Sequence, residues 1–214
     1  MELSGTERTQ LRRKRERGRS DRNDLYAVLD SALICHLGVV TGGAPRVLPT
    51  AHGRRGDTLY LHGSSGNGTY MAADGQPVCV TVTILDGLVC ARSIFHHSMN
   101  YRSAMIYGTA RLVHDEDERI EALTLISEHL VPGQWDYARR PTKKELAATS
   151  VLALPLDEAS VKVRAGAPGD DEEDYASDTW AGVVPVTMVF GEPEPDPALR
   201  PGIAVPRHIA QRPA

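Results

Sequence analysis

VCVTVTILDGLVCARSIFHHSMNYRSAMIYGTARLV, residues 78–113, alternates branched apolar residues with polar ones over short runs, which is the period of a strand rather than a helix. It divides into VCVTVTI (78–84), LVCARSIF (88–95) and AMIYGTARLV (104–113), and the Asp86-Gly87 pair between the first two is a hairpin signal. Upstream, LICHLGVV (33–40), RVLPTAH (46–52) and TLYLH (58–62) share this character, with Gly42-Gly43 as a second hairpin signal. Six short strands joined by tight turns predict an all-β domain of antiparallel neighbours. The rhythm favours a barrel, although a sandwich satisfies the same periodicity. Within 101–107, alternation sets Tyr101, Ser103, Met105 and Tyr107 on one face and Arg102, Ala104 and Ile106 on the other. An arginine on a core-facing side requires an anion, either a bound phosphate or carboxylate or an acidic loop of the chain itself.

Helical periodicity surrounds this β-region. Asp21 is placed to cap a helix with apolar positions Leu25, Val28, Leu29, Ala32 and Leu33. DEDERIEALTLISEHL (115–130) predicts an amphipathic helix with acidic residues at the positive end of its dipole, stopped by Pro132-Gly133. A shorter helix is expected over TKKELAATS (142–150). VLALPL and ASVKVRAG then read as two strands, or one bent at Pro155. These patterns divide the chain into a basic arm (1–20), one domain (21–190) and a Pro-rich extended arm (191–214), the last suited to lying over a partner subunit.

The 214 residues are 41% hydrophobic, enough to bury a proper core, but only 5% aromatic, so that core must be built from Val, Leu, Ile and Ala. A net charge of −4 gives no nucleic-acid footprint over the whole protein, and the basic block 8–20 reads as a solvated tail rather than a binding device. No apolar run reaches the ~20 residues that span a bilayer, and the N-terminal stretch lacks the pattern of a secretory signal. Cys35, Cys79 and Cys90 form no Cys-x-x-Cys pair. A reducing cytoplasm fits these features.

Several stretches gather chemistry. LYLHGSSGNG (59–68) has the form of a strand opening into a Gly/Ser turn. Such a turn either directs backbone N–H groups and the Ser64 and Ser65 hydroxyls at a phosphate or is a plain hydrophilic loop. It is neither a Walker loop nor a dinucleotide fingerprint. His62, just before the turn, is placed to donate to a cofactor or orient a substrate, and His97 is a second proton-handling candidate. His96 and His97 are adjacent and point apart, so no metal site is expected from them. Pro49 interrupts a strand and implies an edge or bulge. Lys162 and Arg164 share one strand face, and Trp180 is a large aromatic near the C-terminal end. Basic groups plus an aromatic suit a flat, anionic cofactor, and a solvated face or a core tryptophan explains them equally.

Taken in order, DRNDLYAVLDSALICHLGVV (21–40), VLPTAHGRRGDTLYLHGSS (47–65), residues 77–113, EASVKVRAGAP (158–168) and WAGVVP (180–185) resemble the pyridoxamine 5′-phosphate oxidase-like FMN-binding split-barrel family. The resemblance is nearest its flavin-nucleotide-binding and nitroimidazole-resistance-type branch. It implies a mainly β fold, a six-stranded antiparallel split barrel with flanking helices, assembled as a homodimer holding FMN at the subunit interface. It also implies that Pro49 and Thr50 contact the flavin ring, and that His62, Gly63, Ser64 and Ser65 follow the ribityl chain and phosphate. Arg102 and Ser103 would add phosphate or ring contacts, and Lys162 and Trp180 would complete the pocket. Family members usually carry a basic residue after the His-Gly-Ser turn, whereas SGNGTYMAADG (65–75) has no Lys or Arg. By this resemblance phosphate affinity depends on Arg102 or Lys162. The activity implied is that of an FMN-dependent oxidoreductase acting on a small nitro-aromatic or pyridoxine-like substrate. The alternative is a non-catalytic protein that binds or senses a flavin, haem or another flat anionic ligand.

Overall fold

The computed structural model describes residues 2–212; Met1, Pro213 and Ala214, the outermost residues of the two arms, lie outside the described residues. In chain order the strands are β1 (Gly18–Arg19), β2 (Ile34–Thr41), β3 (Ala44–Arg55), β4 (Thr58–Ser64), β5 (Pro77–Cys90), β6 (Ser98–Thr109), β7 (Arg111–Leu112), β8 (Thr149–Pro155), β9 (Glu158–Arg164) and β10 (Gly182–Pro185). The helices are α1 (Arg22–Ser31), α2 (Gly68–Ala73), α3 (Glu116–Leu130), α4 (Gln134–Tyr137), α5 (Lys143–Ala147) and α6 (Arg207–Ala210).

All the strand pairings are antiparallel, in the order β1-β9-β6-β5-β2-β3-β4-β8-β7, with β10 added along β5. The curled sheet nearly closes on itself where β6 passes β8: a Cβ on Gly108 would stand 2.9 Å from Leu154 Cδ1. That closure makes the architecture a barrel, not two packed sheets. Inward-facing Leu37, Val80, Val82, Leu59, Leu61, Ala104, Ile106, Leu152 and Leu154 fill it, and α1 closes one end with Leu25, Val28 and Leu29. A second, smaller core lies outside the barrel wall, where Ala122 and Ile126 of α3 pack on Tyr60, Val151 and Ala153. Helix and strand approach so closely there that a Cβ on Gly53 would fall 2.7 Å from the Ile126 nitrogen.

The β class agrees with the sequence expectation, with ten strands among the described residues where six were counted. Gly42 and Gly43 do form the β2–β3 turn, both with positive φ (58° and 77°). Asp86-Gly87 does not turn the chain. β5 runs straight through it with a shift of register between Leu85 and Gly87, and 88–90 continue the same strand. The bulge leaves Gly87 bare where β10 comes in, since a Cβ there would meet Val183 at 3.0 Å. The turn to β6 comes later, around a short 3-10 helix at Ile94–His96. Asp21 caps α1 as expected, Asp115 and Thr142 cap α3 and α5, and Gly133, at φ 85°, ends the path out of α3. VLALPL and ASVKVRAG are two separate strands, β8 and β9.

The N-terminal segment is no free tail. β1 pairs with β9, Leu3 N donates to Ser20 O, and Thr6 and Arg8 both donate to the Glu158 carboxylate. A short acidic strand end thus captures a basic segment that composition alone assigns to solvent. Among the described residues no helix is long and apolar enough to cross a membrane.

Candidate functional site

The Gly/Ser turn and β3 meet at one corner of the barrel. β4 carries Leu59 and Leu61 inward, which turns His62 to the outer face. After the turn, Asn67 caps α2 by accepting from Thr69 N, and α2 returns Tyr70 to the strand it left. The Tyr70 hydroxyl, almost fully buried, donates to His62 O at 2.8 Å and lies 3.2 Å from Thr50 Oγ1, which itself lies 3.3 Å from His62 O. Gly63 lets the ring sit there: a Cβ would stand 3.1 Å from two ring carbons. Thr50, His62, Gly63 and Tyr70 are therefore one hydrogen-bonded unit. His62 Nδ1 is buried and has no hydrogen-bond partner among the described residues, and burial holds its pKa below the usual imidazole value, so the ring is neutral.

The turn itself is not an open phosphate cradle. Ser65 N donates to Ala148 O, Gly66 N to Ser64 Oγ and Asn67 N to Ser64 O, so three amides that might face an anion are used inside the turn. Ser64 and Ser65 remain exposed at its tip.

The positive charge lies elsewhere. Cross-strand register lines up Ser160, Met105, Thr81, His36 and Pro49 in one row over five strands, with Lys162, Ser103 and Thr83 in the adjacent row, all facing outward. His36 is exposed, and beside it Ile34 and Val47 present bare apolar surface. Among the described residues Lys162 makes no ion pair. On the same strand face Arg164 donates only to neutral acceptors, the Asn100 side chain and the Gly166 and Ala167 carbonyls. Desolvation and the nearby charge of Arg17 both push the Arg164 pKa down. Arg17, Lys162 and Arg164 thus form a cationic group short of counter-ions beside a hydroxyl row, an arrangement suited to an anion.

The other sequence candidates are dispersed. Arg102 faces the opposite side from Ser103, and its anion is Asp86 of the β5 bulge, at 2.8 and 3.0 Å in a two-pronged pair that raises the Arg102 pKa. His97 lies 3.1 Å from the Ala91 carbonyl and fastens the β5–β6 turn, while His96 pairs with Asp171. The two imidazoles lie at the end of a 3-10 helix rather than on a strand and have different partners, and His96 comes within 4.8 Å of Asp171 and Asp174 ligand atoms, a grouping that the acidic loop gives no hint of in sequence. Trp180 is 67% exposed, its ring against Gly182 at the far end of β5 and away from Lys162. Within one chain the His62–Ser65 turn and the Ser103 row are separated by β3, β2 and β5. Thr81 and Thr83, which sequence reasoning omitted, and His36, which as a strand histidine reads as an ordinary hydrogen-bonded residue, become neighbours of the chosen ones only through strand register, and Tyr70, also omitted, joins them through the return of α2. Arg17 joins them through the docking of β1.

A family model described as pyridoxamine 5′-phosphate oxidase matches residues 21–163. The chain belongs to the pyridoxamine 5′-phosphate oxidase-like family. Among solved structures it is similar to the flavocytochrome Anf3 from Azotobacter vinelandii, with 42% identity over 95% of each chain and a TM-score of 0.91. It is also similar to the FAD and heme binding protein from Mycobacterium smegmatis, with 38% identity over 90% of this chain and 95% of that one and a TM-score of 0.86. Likeness to a putative 5-nitroimidazole antibiotic resistance protein from Bacteroides thetaiotaomicron is lower, at 25% identity over 68% of this chain and 86% of that one, with a TM-score of 0.59. No curated protein matches. The oxidase-like family model ends within β9, whereas the first two structural likenesses cover 95% and 90% of this chain.

Proposed function

We propose that this chain is a flavin- and haem-binding electron-transfer protein of flavocytochrome type. On this proposal the flavin is FAD rather than the FMN that the sequence resemblance implied, and the site is completed between two copies of the chain. The observation that carries the proposal is the cationic group Arg17, Lys162 and Arg164 set beside Ser103, Thr83 and Thr81 on an outer sheet face whose neighbouring strands are bare and apolar. A planar ligand with an anionic tail satisfies both halves: its rings cover the apolar strip and its phosphates or carboxylates meet the cations. The two structures similar over nearly the full length, one named a flavocytochrome and one an FAD and heme binding protein, support the choice of ligands.

Lys162, Arg164 and Ser103 would hold the anionic tail. The Thr50–His62–Tyr70 unit, with its neutral imidazole and orphaned Nδ1, would hydrogen-bond the flavin's polar edge. Its place three strands away in the same chain supports a slot shared by two copies. His36, an exposed imidazole on the apolar strip, would supply the nitrogen ligand to a haem iron. Bound flavin supplies the electron chemistry, and the protein contributes position and electrostatics. The activity that follows is that of an oxidoreductase passing electrons to a small acceptor.

Titrating cofactor-free protein with FAD, FMN and haemin separately tests the proposal. Stoichiometric uptake of FAD and a Soret band on haemin addition are expected, with the band lost in His36→Ala. Failure to bind any flavin defeats the proposal, and preferential uptake of FMN defeats the choice of FAD. Turnover of NAD(P)H with a nitro-aromatic acceptor separates an enzyme from a binder that only stores its ligand.

A further inference from the structure

Asn100 lies on β6 next to Tyr101, whose partner across the ladder is Arg164, the last residue of β9. It is 8% exposed, and its amide is used at both ends. Oδ1 accepts from an Arg164 Nη, and Nδ2 donates to Gly166 O at 3.1 Å. A guanidinium only donates and a carbonyl only accepts, so these partners fix which way the amide points. Gly166 adopts φ 120°, a conformation that side chains disfavour, although nothing lies within 4 Å of where its Cβ would be. That bend brings the Gly166 and Ala167 carbonyls to 3.4 and 3.3 Å from the same guanidinium.

Arg164 is therefore held by three oxygens, none of them charged. Arg102, two residues along β6 from Asn100, shows the ordinary arrangement, a two-pronged pair with the Asp86 carboxylate. An aspartate at position 100 would have the same shape as the asparagine and would cancel the charge of Arg164. The amide instead fixes the guanidinium and leaves its charge standing, within the field of Arg17, which has the same sign. In the empty protein this costs stability. An incoming anion gains from it, because the donors are already oriented and no resident carboxylate has to be displaced.

We propose that Asn100 is a positioning residue: it fixes Arg164 to receive a phosphate of the bound flavin and keeps that guanidinium uncompensated, so that the site selects phosphorylated flavins over riboflavin. The inference rests on the flavin site proposed above and adds the residue that sets its charge. Asn100 acts through Arg164 and does not itself touch the ligand.

Calorimetric titration of the full-length, cofactor-free protein with FAD, riboflavin and inorganic pyrophosphate tests this for the natural chain, Asn100→Asp and Asn100→Ala. Asn100→Asp should bind FAD and pyrophosphate at least about tenfold more weakly, the effect of cancelling one charge-assisted contact, and riboflavin within about twofold of the natural chain. Asn100→Ala frees the guanidinium but leaves it charged, and should lose less FAD affinity than Asn100→Asp. If Asn100 only braced the turn at Gly166, its replacement would weaken riboflavin and FAD alike. That result, or an unchanged FAD affinity in Asn100→Asp, overturns the inference. Should Asn100→Asp fail to fold by far-UV circular dichroism, Asn100→Ala decides: a loss confined to FAD and pyrophosphate supports the inference and equal losses overturn it. A natural chain that binds pyrophosphate, weakened by Asn100→Asp, but neither flavin keeps the Asn100–Arg164 device and defeats the flavin reading. A chain that binds none of the three defeats both.

Discussion

Lowering the pH should weaken this protein through one buried imidazole. His52 lies on β3 two residues beyond Thr50, almost fully buried, with its ring 4.8 Å from that of His129. Its Nε2 lies 2.9 Å from the Leu29 carbonyl, which only accepts, so Nε2 carries the proton and Nδ1 is left buried without a partner. Desolvation first, with the His129 ring adding to it, pushes the His52 pKa from an ordinary 6.5 down to about 4. Between those values the unfolded chain binds a proton that the folded one refuses. The stabilisation is complete above about pH 6.5, is lost as pH falls, and levels off below about 4. The difference in pKa corresponds to about 3 kcal/mol, a large share of the stability of an ordinary domain. The assay is urea unfolding at a series of pH values for the natural chain and for His52→Gln, which cannot titrate but can still donate to Leu29 O. Asp, Glu and the histidines distant from it contribute equally to both proteins, so the difference between their pH profiles isolates His52 with its interaction with His129. The natural chain should lose about 3 kcal/mol more than the variant between pH 7 and pH 4. Parallel profiles would refute the burial argument and with it the rigid β3 against which Thr50 is set.

Three substitutions probe other parts of the structure. Lys162→Ala removes one unpaired cation from the proposed anion site and should weaken FAD binding about tenfold to a hundredfold, the worth of one charge-assisted contact of about 1.5–3 kcal/mol; calorimetric titration measures it. Arg102→Ala should leave FAD affinity unchanged, because Asp86 already occupies that guanidinium, and should cost only about 0.5–1 kcal/mol by thermal unfolding, since the pair is partly open to solvent. Gly53→Ala drives a methyl group into the backbone of α3 at 2.7 Å and should destabilise by about 1–3 kcal/mol, visible as a lowered urea midpoint with an unchanged slope.

Much of the barrel is legible because its inward positions repeat every two residues: Val78, Val80 and Val82 in β5 and Ala104 and Ile106 in β6 announce both the strands and the faces they bury. The cap at Asp21 is equally plain, since a short oxygen-bearing side chain before an apolar-periodic run has few other uses. Asp86-Gly87 misleads because a bulge and a tight turn ask for the same residues; only the arrival of β10, far along the chain, distinguishes them. α2 hides in a glycine-rich stretch whose local composition signals loop, and is held by the Tyr70 hydroxyl rather than by propensity. The ligand row escapes sequence inspection for a different reason. Alternation tells which residues of β6 or β9 share a face, but register between strands sets Ser103 against Lys162 and Thr81 against His36. Arg102 shows the limit of residue-type reasoning: its need for an anion is real, and the chain itself supplies one.

An absorption spectrum of the protein as purified, followed by mass spectrometry of whatever denaturation releases, addresses the outer sheet face as a cofactor site. Flavin absorption together with a Soret band, and release of FAD and haem in about equal amounts, are the expected result. A colourless protein that stays colourless after incubation with FAD and haemin would contradict it.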